Sequence, residues 1–407
     1  MFRGLYPDQL TKPCQDSYAI HDNVFPDRVQ SALWFMVFDG HGPDGHECAW
    51  YARDNLEIAA SEIYSNKPHM QVEALLKEAN ETVNRNMHAC KAVPSVDSGT
   101  TAVSILSMGE TLYCSNAGDS RCILGKRQAT GTLAPTPLSF DHTLYRADER
   151  LRVQQMGGRV LSIGQIEGRT PLTQDFNCNL GDEIDADGDP PRLWMASKFE
   201  PGCAFSRSLG DKKAELIGCI ATPEVTKHDV QDEDEVVVIA SDGVWEFLTN
   251  QDVLDICDAA SDPAAACYDI VARSYAAWYE QEERIDDISV IVLFLNGKAK
   301  SAPSAADPSI DAHLGAAPAK PVDTRSCGPS HSSSSLVDLP PRLAVPTAAP
   351  TAAEAAAANA AAATRASHAN SNAAALARAA GPPMLGTATM RGSIRGLGKK
   401  EDLGASS

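Results

Sequence analysis

Strands that arrive in groups, helices that arrive in pairs and a change of composition near Gly297 together predict a large α+β layered domain followed by a tail. Apolar or β-branched runs at 32–38, 100–107, 111–115, 121–124, 236–240 and 288–295 have the length and composition of strands. Short turns at 107–110 and 116–119 join consecutive runs at hairpin spacing, which predicts antiparallel pairing. Helical periodicity falls between the groups, at 45–64, 69–90, 144–156, 251–260 and 263–282. Segment 161–199 is rich in Gly, Asp, Asn and Pro, has little apolar period, and is expected to be a long surface insertion. No internal repeat is evident.

From Ser301 onward Ala, Ser and Pro dominate and core-forming residues are scarce. The expected organisation is therefore a domain over 1–297 and a low-complexity, largely disordered tail over 298–407, with alanine favouring local helix around 352–380. The formal charge is −19; nine Lys/Arg against seven Asp/Glu follow Lys300, so the tail carries about +2 and the body about −21. Such acidity opposes nucleic acid and anionic membrane surfaces as partners. It also leaves carboxylates available for cations. Eleven cysteines, an odd number without Cys-x-x-Cys spacing, and an amino terminus without a basic-then-apolar leader argue for a reducing cytoplasmic or nuclear setting. No apolar stretch approaches the length of a membrane span, and Phe2 excludes the myristoylation pattern, so a soluble monomer is expected.

Three acidic clusters sit at the ends of apolar runs. Asp39-Gly40-His41 follows LWFMVF, Asp242-Gly243 follows VVVIAS, and Asp286-Asp287 precedes ISVIVLFL. Any one of them reads most simply as a solvated turn. Recurrence at three strand ends points instead to a shared cation site. Carboxylates with no paired His or Cys nearby select the hard ions Mg²⁺ or Mn²⁺ over zinc. Two such ions bridged by one aspartate would lower the pKa of a water and aim it at phosphorus, and His41 is placed to protonate a leaving alkoxide.

Several separated motifs carry a resemblance: QDSY at Gln15, FDGHGPDGH at Phe38, SGTTAV at Ser98, NAGDSR at Asn116, FDHT at Phe140, GGRV at Gly157, PGCAFSRSLGD at Pro201, ATPEV at Ala221, SDGVWEFL at Ser241 and DDISVIVL at Asp286. In this order, over about 1–297, the chain resembles the PPM-type, or type 2C, metal-dependent protein Ser/Thr phosphatases, and its Gln-Asp first motif is similar to plant- or algal-type members. The PGCAFSRSLGD and SDGVWEFL stretches resemble the phosphatase module that plant proteins fuse to a cyclic-nucleotide-dependent kinase, although no kinase follows here. The resemblance implies a four-layer α-β-β-α sandwich, a central antiparallel β-sandwich flanked by helices, with two Mg²⁺ or Mn²⁺ ions at one end and phosphorylated proteins as substrates. It further implies that Asp39 bridges both ions, Gly40 offers its carbonyl, Asp242 and Asp286 complete one shell, Asp16 belongs to the other ion's outer shell, Asp119 serves a third site, and His41 is the general acid.

Two departures stand out. Gln15 replaces the family's usual glutamate beside Asp16, which removes a negative charge and should weaken one ion. The family's phosphate-gripping arginine falls at Thr11, leaving Lys12 as the nearest phosphate-binding cation, a point charge without a bidentate fork. The chain also starts close to the first motif, so part of the family's first strand is expected to be missing. These features keep open a rival reading, a catalytically silent member that binds phosphoproteins.

Five other signals are read as decoys. Segment 182–189 has Asp185, Asp187 and Gly188 at calcium-loop offsets, but Glu183 would be the first ligand, Trp194 the twelfth, and Pro190 and Pro191 would interrupt the loop. Cys114 and Arg121 are separated by six residues where a cysteine phosphatase needs five, and Asp119 between them would repel phosphate. His142 and His46 read as turn histidines satisfying backbone groups, and Trp245 and Phe247 as packing beneath the site. Arg207 is expected to organise carboxylates through bidentate bonds rather than to touch substrate.

Overall fold

The computed structural model describes residues 1–22, 24–25, 32–176, 178, 180–183 and 188–295. Two antiparallel sheets lie at its centre. One has five strands in the order Ser17–Asp22, Leu33–Phe38, Ala102–Met108, Thr111–Ala117 and Glu224–Asp229. The other has four, in the order Val290–Phe294, Asp234–Ala240, Arg121–Arg127 and Leu133–Pro137.

The period-2 geometry of a strand explains why LWFMVF is apolar throughout. Val37, with Val103 and Ile105, faces the second sheet and packs on Cys122, Leu124, Val237 and Ile239. Trp34, Met36 and Phe38 point the other way, under helices Gly45–Asn66 and Val72–Ala89, against Leu56, Leu76 and Met87. Across the second sheet, Ile123, Val236 and Val238 pack on Val253, Leu254, Ile270 and Trp278 of helices Asn250–Ala259 and Pro263–Gln281. Each large apolar side chain so buried contributes about 2 kcal/mol. Helix starts are fixed locally: Thr249 and Asp252 form a reciprocal capping box, and Asp262 caps Ala265 with Pro263 in the first turn. The result is the expected four-layer α-β-β-α sandwich. Among the described residues no helix is long and apolar enough to cross a membrane.

Every predicted strand and long helix has a counterpart, and two of the expectations about connections and loops differ. The turn at 107–110 makes a true hairpin, Met108 pairing with Thr111 and Gly109 at φ +64°. The turn at 116–119 does not, because Thr111–Ala117 and Arg121–Arg127 belong to different sheets and the chain crosses between them through Gly118 at φ +124°. Turn spacing alone does not distinguish a hairpin from such a crossing. Segment 161–199 is also less irregular than expected: Arg159–Leu161 and Arg192–Trp194 pair in register and continue to Pro201–Cys203, with Leu193 buried in a small satellite core. The expected tail, with its local helix, lies outside the described residues.

Candidate active site

The strand ends bring the predicted acids together. Asp16 precedes Ser17–Asp22, Asp39 follows Leu33–Phe38, Asp119 lies in the crossover between sheets, Asp242 opens a short helix after Asp234–Ala240, and Asp286 precedes Val290–Phe294. Asp16 is buried and the other four are half-buried. Burial, then Asp242, Asp16 and Asp286, raise the Asp39 carboxyl well above the usual range, and Asp39 and Asp242 share a hydrogen bond. Burial and Asp286 push Asp242 up to about 6, burial and Asp242 push Asp119 to about 7, and burial and Asp287 push Asp16 to about 8. Asp16 Oδ2 accepts from Ser241 Oγ at 2.8 Å, whereas its Oδ1 is buried with no hydrogen-bond partner. That orphaned oxygen amid repelling carboxyls fits a bound cation.

Local contacts fix these positions. Asp39 N donates to Thr101 Oγ1 at 3.1 Å. Gly40 tolerates no side chain, since a Cβ would strike the carbonyls of Gly45 and Gln15. Gln15 donates through Nε2 to the Gly42 carbonyl at 2.7 Å, a bond that an ionised glutamate could not make. Gly118 N donates to Nδ1 of the fully buried His142 at 3.2 Å, so that histidine secures the crossover carrying Asp119.

His41 lies half-buried beside this group. Its Nε2 meets Asp211 Oδ2 at 2.5 Å, and its ring packs on Phe205 at 4.3 Å. Burial disfavours the imidazolium, yet the Asp211 carboxylate more than offsets it and holds the His41 pKa above its ordinary value. Ser208 Oγ also donates to Asp211 Oδ2, at 2.6 Å. Asp211 stood inside a recognised motif, but its pairing with His41 spans 170 positions and has no local signal. Tyr6 was also missed. Its hydroxyl donates to Asp286 Oδ1, and Lys12 Nζ sits 3.6 Å from the centre of its ring.

The one described group whose ligand oxygens all lie within 4.8 Å of each other is elsewhere, at Asp148, Glu149 and Glu224. Asp39, Asp242 and Asp286 do not form such a trio. Arg146 bridges Asp148 and Glu224, while Arg152 and Arg207 hold Glu149, so three guanidiniums already neutralise that group. Arg207 therefore organises carboxylates. Cys114 is buried between the sheets, Trp245 is buried with Nε1 donating to the Ala240 carbonyl, and Phe247 packs on Trp278 at 4.8 Å. His46 stands edge-on to Trp50 rather than on a backbone group, with its Nδ1 lacking a partner. In the calcium-like segment, Asp182 and Glu183 bind Asn250 N and Arg121 instead, and Asp185 and Asp187 lie outside the described residues.

Comparison with known proteins decides the family. The Protein phosphatase 2C profile matches residues 10–280. The chain belongs to the protein phosphatase 2C family. It is 39% identical over 294 residues to probable protein phosphatase 2C 35 of Arabidopsis thaliana, covering 72% of this chain and 81% of that protein. Identity to probable protein phosphatase 2C 64 of Oryza sativa subsp. japonica is 31% over 269 residues, 64% of this chain and 58% of the rice protein. The serine-threonine phosphatase 2C of Toxoplasma gondii superposes with a TM-score of 0.55 at 18% identity, over 70% of this chain and 90% of its own, a likeness of fold. This 2C-family chain is accordingly a protein serine/threonine phosphatase.

Proposed function

We propose that this phosphatase hydrolyses phosphoserine and phosphothreonine in proteins at the Asp39 cluster, with two Mg²⁺ or Mn²⁺ ions held by Asp39, the Gly40 carbonyl, Asp242, Asp286 and Asp16, and a third site at Asp119. The observation that carries this reading is the convergence of five aspartates from separate elements on Asp39 and Asp242, none of them ion-paired among the described residues, together with the orphaned Asp16 Oδ1. Carboxylates about 4 Å apart repel by about 4 kcal/mol at a protein surface. Divalent cations remove that repulsion and, when bound, would supply an ionised water and neutralise the phosphate dianion.

The chain's own residues supply the rest. Asp211 holds His41 Nε2, which leaves Nδ1 as the proton donor for the departing serine or threonine oxygen. Lys12, over the Tyr6 ring, offers a positive charge at the rim where the substrate phosphate arrives. Gln15 acts through the backbone: its amide ties Gly42 to the first motif and leaves one fewer charge for the ion beside Asp16.

The test is a metal titration with a phosphothreonine peptide. Turnover should require millimolar Mg²⁺ or Mn²⁺, vanish with chelator, and fall by about a thousandfold or more in Asp39→Asn and Asp242→Asn. Cys114→Ser should turn over normally. Peptide binding without turnover at any metal concentration would instead establish a phosphoprotein-binding module.

A further inference from the structure

Acids that come from separate strand ends and repel one another must be held in place before a cation arrives. A carboxylate ligand is oriented by hydrogen bonds to its other oxygen and to its neighbours, and losing such a bond weakens a metal by about tenfold to a hundredfold. Segment 1–16 supplies bonds of this kind. Phe2 exchanges backbone hydrogen bonds with Ile288, and Leu5 with Ile285, at 2.7 to 2.9 Å, and all four side chains join one core. Gly4 runs so close that a Cβ would stand 2.3 Å from the Ile285 carbonyl oxygen. There Gly4 N donates to Asp287 Oδ1 at 2.7 Å. The other oxygen of the same buried carboxylate, Oδ2, accepts from Gln15 N, also at 2.7 Å. Asp287 therefore closes the loop between positions 4 and 15, and Arg3 braces it by donating to the carbonyls of Leu10 and Lys12, both at 2.7 Å.

Each of these bonds leads to an acid of the site. Gln15 precedes Asp16, and its carbonyl accepts from Gly40 N at 3.2 Å, beside Asp39. Asp287 itself follows Asp286. On Asp286, Oδ1 accepts from the Tyr6 hydroxyl and from Asp287 N, the latter at 2.9 Å. Both donors meet one oxygen, which leaves Oδ2 for a cation. The Tyr6 ring is buried beneath Lys12 Nζ, so its hydroxyl reaches Asp286 from a fixed support.

We propose that Asp287 and Tyr6 are positioning residues of the metal centre: Asp287 ties the segments bearing Asp16, Asp39 and Asp286 into one arrangement, and the Tyr6 hydroxyl orients Asp286 so that Oδ2 meets the cation. The proposal rests on the metal-dependent phosphatase reading above, and it assigns these residues to metal affinity rather than to turnover at saturating metal. Its test uses the full chain with Tyr6→Phe, which keeps the ring beneath Lys12, and Asp287→Asn, which keeps the size and one acceptor. Calorimetry reads the Mg²⁺ Kd apart from turnover, and melting in chelator reads the metal-free fold. Tyr6→Phe should raise both the Kd and the Mg²⁺ midpoint for a phosphothreonine peptide by about tenfold, with kcat at saturating Mg²⁺ within about twofold and metal-free Tm within about 2 °C. Asp287→Asn should raise the Kd at least as far and lower the metal-free Tm as well, since a buried N–H loses its acceptor. An unchanged Kd in Tyr6→Phe would overturn the proposal and leave the phosphatase reading intact, and so would a lower metal-free Tm with an unchanged Kd, the signature of a purely structural role. If Asp287→Asn does not fold, the Kd of Tyr6→Phe decides alone. A wild type that binds Mg²⁺ without turnover would sink the phosphatase reading by itself, while the same calorimetry still decides the positioning role. A wild type that binds neither Mg²⁺ nor Mn²⁺ would overturn both.

Discussion

Asp211 occupies φ +48°, a left-handed conformation that costs a residue with a side chain about 1 kcal/mol, and its surroundings are arranged to keep it there. Its N–H donates to the Ser98 carbonyl at 2.9 Å, and Ser208 Oγ holds the same carboxylate oxygen that meets His41. The preceding Gly210 N donates to Asn84 Oδ1 at 2.8 Å, and the carboxylate lies where a Cβ on Gly99 would be. So many constraints on one carboxylate mark a positioning residue for the imidazole. Replacing Asp211 with Asn keeps the shape but removes the charge that orients and protonates the ring. General acid help matters for an alkoxide and little for a good leaving group. Asp211→Asn should therefore lower kcat on a phosphothreonine peptide by about a hundredfold and on p-nitrophenyl phosphate by less than about threefold. An equal fall on both substrates would mean that Asp211 serves the fold and not the proton.

Among the elements, the crossover from Thr111–Ala117 to Arg121–Arg127 couples the fold to the site. Gly118 is at φ +124°, and a Cβ added there would meet Thr101 Cγ2 at 2.6 Å. Thr101 Oγ1 accepts from Asp39 N and shares a 2.7 Å bond with Ser120. Gly118→Ala should thus destabilise the domain by about 2 kcal/mol in urea unfolding and lower kcat as well, because the residue displaced is the one seating Asp39. Normal kcat in a destabilised variant would separate the crossover from catalysis. This crossing was illegible in the sequence, whereas the strands flanking it were plain, since both faces of each are buried. The strands that periodicity failed to reveal include three at sheet edges. Ser17–Asp22 and Glu224–Asp229 border the five-stranded sheet with polar, half-exposed residues, and Leu133–Pro137 borders the other with two prolines. The acids at strand ends were legible because Asp-Gly after an apolar run is a local pattern. Asp211 and Tyr6 were not, because their roles depend on pairings between distant segments.

At the scale of the whole molecule, a body carrying about −21 gathers several of its acids where they repel one another most. Cation binding should then appear as stability, independently of turnover. A ligand bound only by the folded state stabilises by about 2.7 kcal/mol when present at about a hundred times its Kd. Monovalent salt merely screens exposed charge. Millimolar MgCl₂ should therefore raise Tm beyond NaCl of equal ionic strength, and chelator should reverse the gain. The increment should disappear in Asp39→Asn and Asp242→Asn, which lose ligands, and persist in Asp148→Asn, because the cluster at Asp148 is already neutralised by Arg146, Arg152 and Arg207. Loss of the increment in Asp148→Asn alone would move the metal to that second cluster. No increment over NaCl would overturn the assignment of a cation to the repelling carboxyls of Asp39 and Asp242.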